Sequence, residues 1–535
     1  MLRVPVAYLM LNRSHVGTAS ILSSSSIASR WQGLLDDRIG IDAQAVSIRV
    51  RIGRAVSLTP MFINGQWVDA IDGGTFAVTN PATGEVIAEM PAGGAADAAA
   101  AIDAADAVQK EWGASTAYSR ADLLMAAWRL MGERADELAH LMTEEQGKPL
   151  KASRAEVTYG ADFLRWFAEE ARRISGEWLP SGRPDQRFLS VKTPVGVVAA
   201  VTPWNYPMSM LTRKMGPALA AGCTLVLKPA EATPLCAKAI FECFVDAGVP
   251  DGVINMVTAE DPVPIGDVFT SDPRVKKLTF TGSTAVGRVL AAKAGANLQR
   301  VSVELGGHAP FIVYPDADPV HAAKGAAALK FLNSGQACIS PNRLYVHRDH
   351  ADAFIDTIVP RVAKVKAGVG TAEGVGVGPL VNEAAVAKVA AQVDDARAKG
   401  AEVPVGGMRL TDDGLDAGHF YAPTVVTGVT EAMTIYREET FGPVAPIIVY
   451  DDVDQVIDLA NDTNYGLAAY VYTKDLSTAI RAMEGLRFGI IGINDVNPTS
   501  AAAPFGGMND SGLGREGGHE GIAEYLETKL AGIAL

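Results

Sequence analysis

The sequence predicts an α/β protein with two doubly wound parallel-sheet domains and a small third element. Three observations carry that prediction. With 535 residues the chain is too long for a single core. Its apolar fraction of 48% and its 53 glycines fit a well-buried enzyme rather than a disordered chain. Two long stretches alternate short apolar runs with helical patterns, the signature of parallel strands covered by helices on both faces.

Residues 1–60 differ from the rest. They hold seven Arg, no Lys, no Glu and only Asp36, Asp37 and Asp42 as acids, with a serine patch at 23–26. Such an Arg- and Ser-rich start resembles an organelle transit peptide. It also fits an upstream extension of a gene whose working start is Met61, and Asp36 and Asp37 favour that alternative. The expected location is cytoplasmic, or the mitochondrial matrix if residues 1–60 are a transit segment.

From Met61 the chain opens with two short strands around the turn Asn64-Gly65. Helical periodicity follows from Ala95 to about Ile174. Residues 175–192 are polar and rich in Gly and Pro, as in a protruding hairpin. Residues 195–304 then alternate strand and helix, with strands at 195–201, 224–227, 253–257, 278–280 and 301–303. Residues 61–174 and 193–304 are therefore assigned to a dinucleotide-binding domain. A second alternation defines a catalytic domain over 305–510, with strands near 311–313, 344–347, 444–449 and 467–472. Residues 525–535 read as a terminal strand, and 175–192 with 511–535 form an expected oligomerisation segment.

The formal charge of −14 argues against nucleic acid or an anionic membrane as the main partner. No apolar run is long enough to span a bilayer. The four cysteines form no CxxC pair and no Cys/His cluster, so neither a metal site nor a disulfide framework is expected.

Several segments carry chemistry. Cys338 follows the glycine turn of Asn333-Ser334-Gly335-Gln336-Ala337, and a thiol in such a loop becomes nucleophilic when nearby N–H groups or a base favour the thiolate. Glu304 ends a strand and precedes Leu305-Gly306-Gly307, which leaves its carboxylate exposed at the strand tip. Asn205, within Pro203-Trp204-Asn205-Tyr206-Pro207, can donate an N–H to a developing oxyanion, as can the backbone of Cys338. Phe280-Thr281-Gly282-Ser283-Thr284 joins a strand to a helix start that suits a phosphate. Lys228-Pro229-Ala230-Glu231 ends the neighbouring strand, where a ribose can be held.

Together with Glu439-Thr440-Phe441-Gly442-Pro443 and Pro504-Phe505-Gly506-Gly507, these segments resemble, in order and spacing, the aldehyde dehydrogenase superfamily from Met61 to the C-terminus. The resemblance implies an aldehyde dehydrogenase-like fold with a cofactor domain, a catalytic domain and an oligomerisation ribbon. It implies a Cys338 thioester, an oxyanion held by Asn205, and water activated by Glu304. NAD, preferred over NADP, would be bound by Thr202, Trp204, Lys228, Glu231, Gly282, Ser283, Glu439 and Phe441. A homodimer or homotetramer is expected, with a small-molecule aldehyde as the only other partner.

The stretch Leu211-Thr212-Arg213-Lys214 and the end Ser511-Gly512-Leu513-Gly514-Arg515-Glu516-Gly517 are similar to the succinate-semialdehyde dehydrogenases. That likeness points to Arg213 and Thr499 as binders of the substrate carboxylate, although spacing alone makes Arg213 a surface cation. The same group usually carries a second Arg where this chain has Leu332. Glutarate semialdehyde or another ω-carboxy or aliphatic aldehyde is the alternative substrate. Ser340 stands where several relatives have a second loop cysteine, so no disulfide within the loop is expected.

Overall fold

The computed structural model describes residues 58–535. The questions about the N-terminal extension fall, up to residue 57, outside the described residues. In chain order the first strands are β1 (Met61–Ile63), β2 (Gln66–Val68), β3 (Thr75–Thr79), β4 (Val86–Pro91), β5 (Glu177–Leu179) and β6 (Gln186–Pro194). The central run is β7 (Val197–Val201), β8 (Leu225–Lys228), β9 (Ile254–Met256), β10 (Val275–Thr281) and β11 (Arg300–Glu304). Then come β12 (Ala309–Val313), β13 (Pro341–His347), β14 (Lys366–Ala367), β15 (Val375–Val377), β16 (Glu402–Val405) and β17 (Thr424–Thr427). The last are β18 (Val444–Tyr450), β19 (Ala468–Tyr472), β20 (Ile490–Ile493), β21 (Gly512–Leu513) and β22 (Leu526–Ala534).

An eight-stranded sheet runs β2-β1-β9-β8-β7-β10-β11-β21, with β9 to β11 parallel. Its chain order starts in the middle at β7, grows through β8 to β9, then crosses to β10 and β11. The strand order therefore reverses between β7 and β10, and such a reversal opens a crevice at the strands' carboxyl ends. Successive side chains of β7 enter opposite cores, so the whole strand is apolar. Val197 and Ala199 pack into the core on one face, among Ala98, Ala101 and Ile102 of helix Ala95–Ala114. Val198 and Ala200 pack into the opposite core, with Phe163, Phe167, Leu211 and Met215 from helices Leu150–Ala171 and Ser209–Ala221.

A seven-stranded sheet, β16-β17-β18-β13-β12-β19-β20, repeats the design and is parallel except for β16 against β17. Phe311, Val313, Leu344 and Val346 face one core, while Ile312, Tyr345 and Ile448 face the other.

The expected hairpin is present as β5 and β6 but runs on to Pro194, two residues past the predicted 175–192, and β22 adds to β6 as a three-stranded ribbon. One boundary is corrected. Residues 511–525 were assigned with the ribbon, yet β21 pairs antiparallel with β11 in the eight-stranded sheet, and Ile522 packs into that sheet's core. The glycines at 512 and 514 explain the miss. They hide a two-residue strand whose backbone lies so close to β11 that a Cβ at 512 would stand 1.9 Å from the Val303 carbonyl. The β3–β4 hairpin was also missed. Among the described residues, no helix is long and apolar enough to cross a membrane.

Candidate functional site

The carboxyl ends of β7, β8, β10 and β11 deliver their following residues to one edge. Thr202, Trp204 and Asn205 follow β7; Lys228 ends β8 and Glu231 follows it; Gly282 and Ser283 follow β10; Glu304 ends β11. Cys338 comes from the other sheet's side. It sits on the loop between helix Pro319–Lys330 and β13, and its Sγ lies 3.8 Å from Glu304 Oε2. Two backbone devices make that approach possible. Asn333 (φ 49°), Ser334 (φ 58°) and Gly335 (φ 73°) are successively left-handed, an unfavourable run for the two non-glycine residues that turns the chain sharply after the helix. At Gly307, a Cβ would lie 2.1 Å from the Cys338 carbonyl oxygen, so only glycine lets the loop after β11 pass there.

The Asn205 amide donates to the Gln336 carbonyl (3.0 Å). An amide nitrogen carries two hydrogens, which leaves one free for a ligand. Asn333 Nδ2 in turn donates to the Asn205 carbonyl (2.9 Å), so the Asn205 turn and the Cys338 loop hold each other.

Electrostatically the pair is tense. Burial pushes the Glu304 carboxyl up to about 8, Glu516 adds to the rise, and Arg213 and Lys214 oppose it. Burial likewise raises the Cys338 thiol well above its ordinary value, with Glu304 adding and Arg213 opposing. The Glu304 side chain is buried rather than exposed at the strand tip, because the Cys338 loop covers it, and its Oε1 has no hydrogen-bond partner. A carboxyl that ionises near pH 8 beside a thiol can take a proton from that thiol or from a water.

Cys338 opens onto a cavity of about 350 Å³ that Arg213, Thr499, Leu332 and Phe505 also line. Arg213 is fully buried, contrary to the surface position that spacing alone suggested, because helix Ser209–Ala221 is buried on every side. Its guanidinium stacks 3.7 Å from the centroid of Phe505, and its Nε lies 3.2 Å from Glu516. Glu516 is shared with Lys214 (2.6 Å), so one carboxylate serves two cations, and Arg213 Nη2 has no hydrogen-bond partner. Thr499 reaches the same cavity from the loop after β20, its hydroxyl 3.5 Å from Asn497. Leu332 is exposed at the cavity lining.

At the cofactor edge the parts are more open. Ser283 caps helix Thr284–Ala296, accepting from Val286 N, and its own O–H stays available to donate. Lys228 and Glu231 form an ion pair with each other, Lys228 buried and Glu231 partly exposed. Thr202 is buried, its N–H bonded to the Lys228 carbonyl (3.2 Å). Trp204 and Phe441 meet edge to face at 5.7 Å, with Phe441 itself in a left-handed conformation (φ 55°). Glu439 accepts from Gly307 N (2.9 Å), and burial raises its carboxyl to about 7. These groups suit a dinucleotide: a helix start with a free hydroxyl, carboxylates for ribose hydroxyls and an aromatic pair for a flat ring.

Residue reasoning missed Lys148, Glu156 and the role of Glu516. Lys148 and Glu156 lie in and before an Ala-rich amphipathic helix with nothing in their spacing to set them apart. Glu516 sits about 300 residues from its partners in sequence, as the separation of 302 from Lys214 shows. The four cysteines are free, Cys338 among them.

Comparison with known proteins agrees with this geometry. The aldehyde dehydrogenase family profile matches residues 67–531. The glutarate-semialdehyde dehydrogenase of Pseudomonas putida is 47% identical over 474 residues, 89% of this chain and 97% of that protein. The NADP(+) succinate-semialdehyde dehydrogenase of Escherichia coli K12 is 48% identical over 473 residues, 88% of this chain and 97% of that protein. The crystal structure of succinate-semialdehyde dehydrogenase from Burkholderia pseudomallei is 47% identical with a TM-score of 0.87, covering 89% of this chain and 98% of that one.

Proposed function

From the premise that this chain belongs to the aldehyde dehydrogenase family and oxidises aldehydes to acids with NAD(P), we propose that its substrate is succinate semialdehyde and that Cys338, Glu304 and Asn205 carry the reaction. The observation that carries the proposal is one cavity holding both the Cys338 thiol, 3.8 Å from Glu304, and a buried Arg213 with an unpartnered Nη2.

The ionised Glu304 carboxylate takes the Cys338 proton and passes it to solvent, and the sulfur bonds to the aldehyde carbon, turning the carbonyl oxygen into an oxyanion. The free N–H of the Asn205 amide and the Cys338 backbone N–H hold that charge. When bound, the dinucleotide supplies the hydride acceptor that turns the adduct into a thioester. Glu304, again ionised, then removes a proton from water as the water oxygen bonds to the thioester carbon, and returns that proton to the sulfur as the carbon–sulfur bond breaks, while the new acid loses its own proton to solvent. The products are the carboxylate and the regenerated thiol.

Thr202, Trp204, Lys228, Glu231, Gly282, Ser283, Glu439 and Phe441 would hold the dinucleotide. Within that set NAD is preferred over NADP, because the Glu231 carboxylate accepts from ribose hydroxyls but repels a 2′-phosphate, and the Lys228 charge is already committed to Glu231. Arg213 and Thr499 bind the distal carboxylate, Arg213 through paired hydrogen bonds. Glutarate semialdehyde is the second reading. It is favoured by a lining in which Leu332 leaves room without a second cation, and by a relative named for that substrate.

The ribbon supports a homodimer or homotetramer, since β22 is a nine-residue edge strand with an exposed outer side. A panel comparing kcat/KM for succinate semialdehyde, glutarate semialdehyde and butanal, followed by NADH release, tests the substrate. Butanal equal to the two acids rejects a carboxylate-binding channel.

A further inference from the structure

Beneath the Asn205 turn lies a buried ion pair that the reaction above does not use. Lys148 immediately precedes helix Leu150–Ala171, and Glu156 sits two turns into it; both are buried against solvent and reach the cavity wall. The Lys148 ammonium pairs with Glu156 Oε2 and donates to the Asn205 carbonyl (2.7 Å). Its remaining side faces the Tyr206 ring at 4.1 Å.

Glu156 has its own second task. Its Oε1 accepts from Met208 N (3.0 Å) and Ser209 N (3.2 Å), at the start of helix Ser209–Ala221, which has no side-chain cap of its own. Gly160, one turn further along, lets the two helices close up; a Cβ there would lie 3.1 Å from Ser209 Cα. The pair thus spans the whole turn from Asn205 to Ser209.

We propose that Lys148 is a positioning residue for the Asn205 amide, fixing through Asn205's own carbonyl the direction in which that amide meets the aldehyde oxygen. The proposal rests on the reading that Asn205 holds the oxyanion. The Asn205 carbonyl receives two donors, Lys148 Nζ and Asn333 Nδ2 (2.9 Å), which pin its peptide plane from two sides. Neutral packing would fill the space at no cost in stability, because isolated buried ion pairs rarely outperform apolar residues of the same volume. What apolar packing cannot do is hold a carbonyl in place by charge-assisted bonding. With its hydrogens directed at Glu156, Asn205 and the Tyr206 face, the ammonium has none to offer a substrate carboxylate. Lys148 therefore acts on every aldehyde alike, unlike Arg213.

The test compares Lys148→Met, Lys148→Arg, Asn205→Ala and Lys148→Met/Asn205→Ala, with succinate semialdehyde and butanal as substrates. Lys148→Met is expected to slow the hydride-forming burst roughly 10- to 100-fold for both aldehydes, somewhat less than losing an oxyanion donor outright. Lys148→Arg should fall between that variant and the parent. KM and the affinity for NAD, read by fluorescence, should stay within about threefold of the parent because the ammonium's hydrogens are committed to Glu156, Asn205 and the Tyr206 face. In the Asn205→Ala background, Lys148→Met should add less than about threefold, since the two act as one unit. Lys148→Met leaves Glu156 buried without its partner; if that variant does not fold, Lys148→Met/Glu156→Gln removes both charges and takes the same measurements. A loss confined to succinate semialdehyde, or losses that multiply in the Asn205 double variant, overturns the proposal. Slowing by Asn205→Ala with none by Lys148→Met does so while leaving Asn205's role intact. Full activity of Asn205→Ala removes the reading beneath it as well.

Discussion

At the cofactor edge the functional side chains hang from the ends of parallel strands; around the aldehyde cavity they come from helices and loops and are buried in shared ion pairs. Trp204, Gly282, Ser283 and Glu304 each follow or end a strand of one sheet. Arg213, Glu516 and the Lys148–Glu156 pair come from three separate places, and each of these buried charges faces an opposite one. The difference has a physical origin. Strand ends in a doubly wound sheet present backbone N–H groups and short side chains to a common crevice, with water close by. A cavity that holds a carboxylate beside a reactive thiol, as the proposed substrate requires, needs charge in low dielectric, and each buried charge demands a partner. Changes at Arg213 should therefore alter rate and substrate selectivity together, changes at Lys148 rate alone, and changes at Glu231 cofactor choice alone.

The largest effect is expected at the meeting point of the two regions. Cys338→Ala should reduce oxidation by roughly 10⁴-fold or more while NAD still binds, because the nucleophile is lost and the edge is untouched. Calorimetry showing lost NAD affinity would mean that the regions are not separable. Glu304→Gln should slow thioester hydrolysis by about 10²–10⁴-fold, giving a burst of NADH and then a slow steady state. Unchanged turnover would take Glu304 out of the role.

Glu304 also sets a pH dependence. Its folded carboxyl is raised from 4.5 to about 8, so its base form accumulates as pH rises towards 8, and the hydrolytic rate should climb over that interval and then level. The folded state binds this proton more tightly than the unfolded chain does, so the shift lowers stability as pH rises from 4.5 towards 8. Parent enzyme should lose thermal stability across that window more steeply than Glu304→Gln; parallel melting curves would contradict the burial argument.

Arg213→Ala should cost about 2–4 kcal/mol in kcat/KM for succinate semialdehyde and much less for butanal, as for other buried charge-assisted pairs. Equal losses would make Arg213 structural through its stacking on Phe505. The smallest effect belongs to the edge: Glu231→Ser should move the NAD/NADP ratio of kcat/KM towards NADP by about tenfold, the weight of one screened charge contact. An unmoved ratio would place cofactor choice elsewhere.

The two regions also differ in how far the sequence revealed them. The strand ends near Val201, Phe280 and Val303 follow from apolar runs that stop at glycine or proline turns, but the crevice between β7 and β10 follows only from the order of the strands in the sheet. The β21 strand escaped because its glycines pack by backbone proximity rather than by an apolar pattern. Arg213 was visible as a residue but its surroundings were not, since its burial comes from Phe505 and Glu516 far along the chain. Lys148 and Glu156 left no trace, because a helix with alternating charges looks the same whether those charges meet solvent or each other.

The proposed reaction depends on the covalent step at Cys338. Its most direct test is mass spectrometry of Glu304→Gln quenched with acid after mixing with NAD and succinate semialdehyde. The predicted result is a mass gain of one succinyl group on the peptide that carries Cys338, formed only when NAD is present and absent from Cys338→Ala. An unmodified Cys338 peptide under conditions that release a stoichiometric burst of NADH would contradict it.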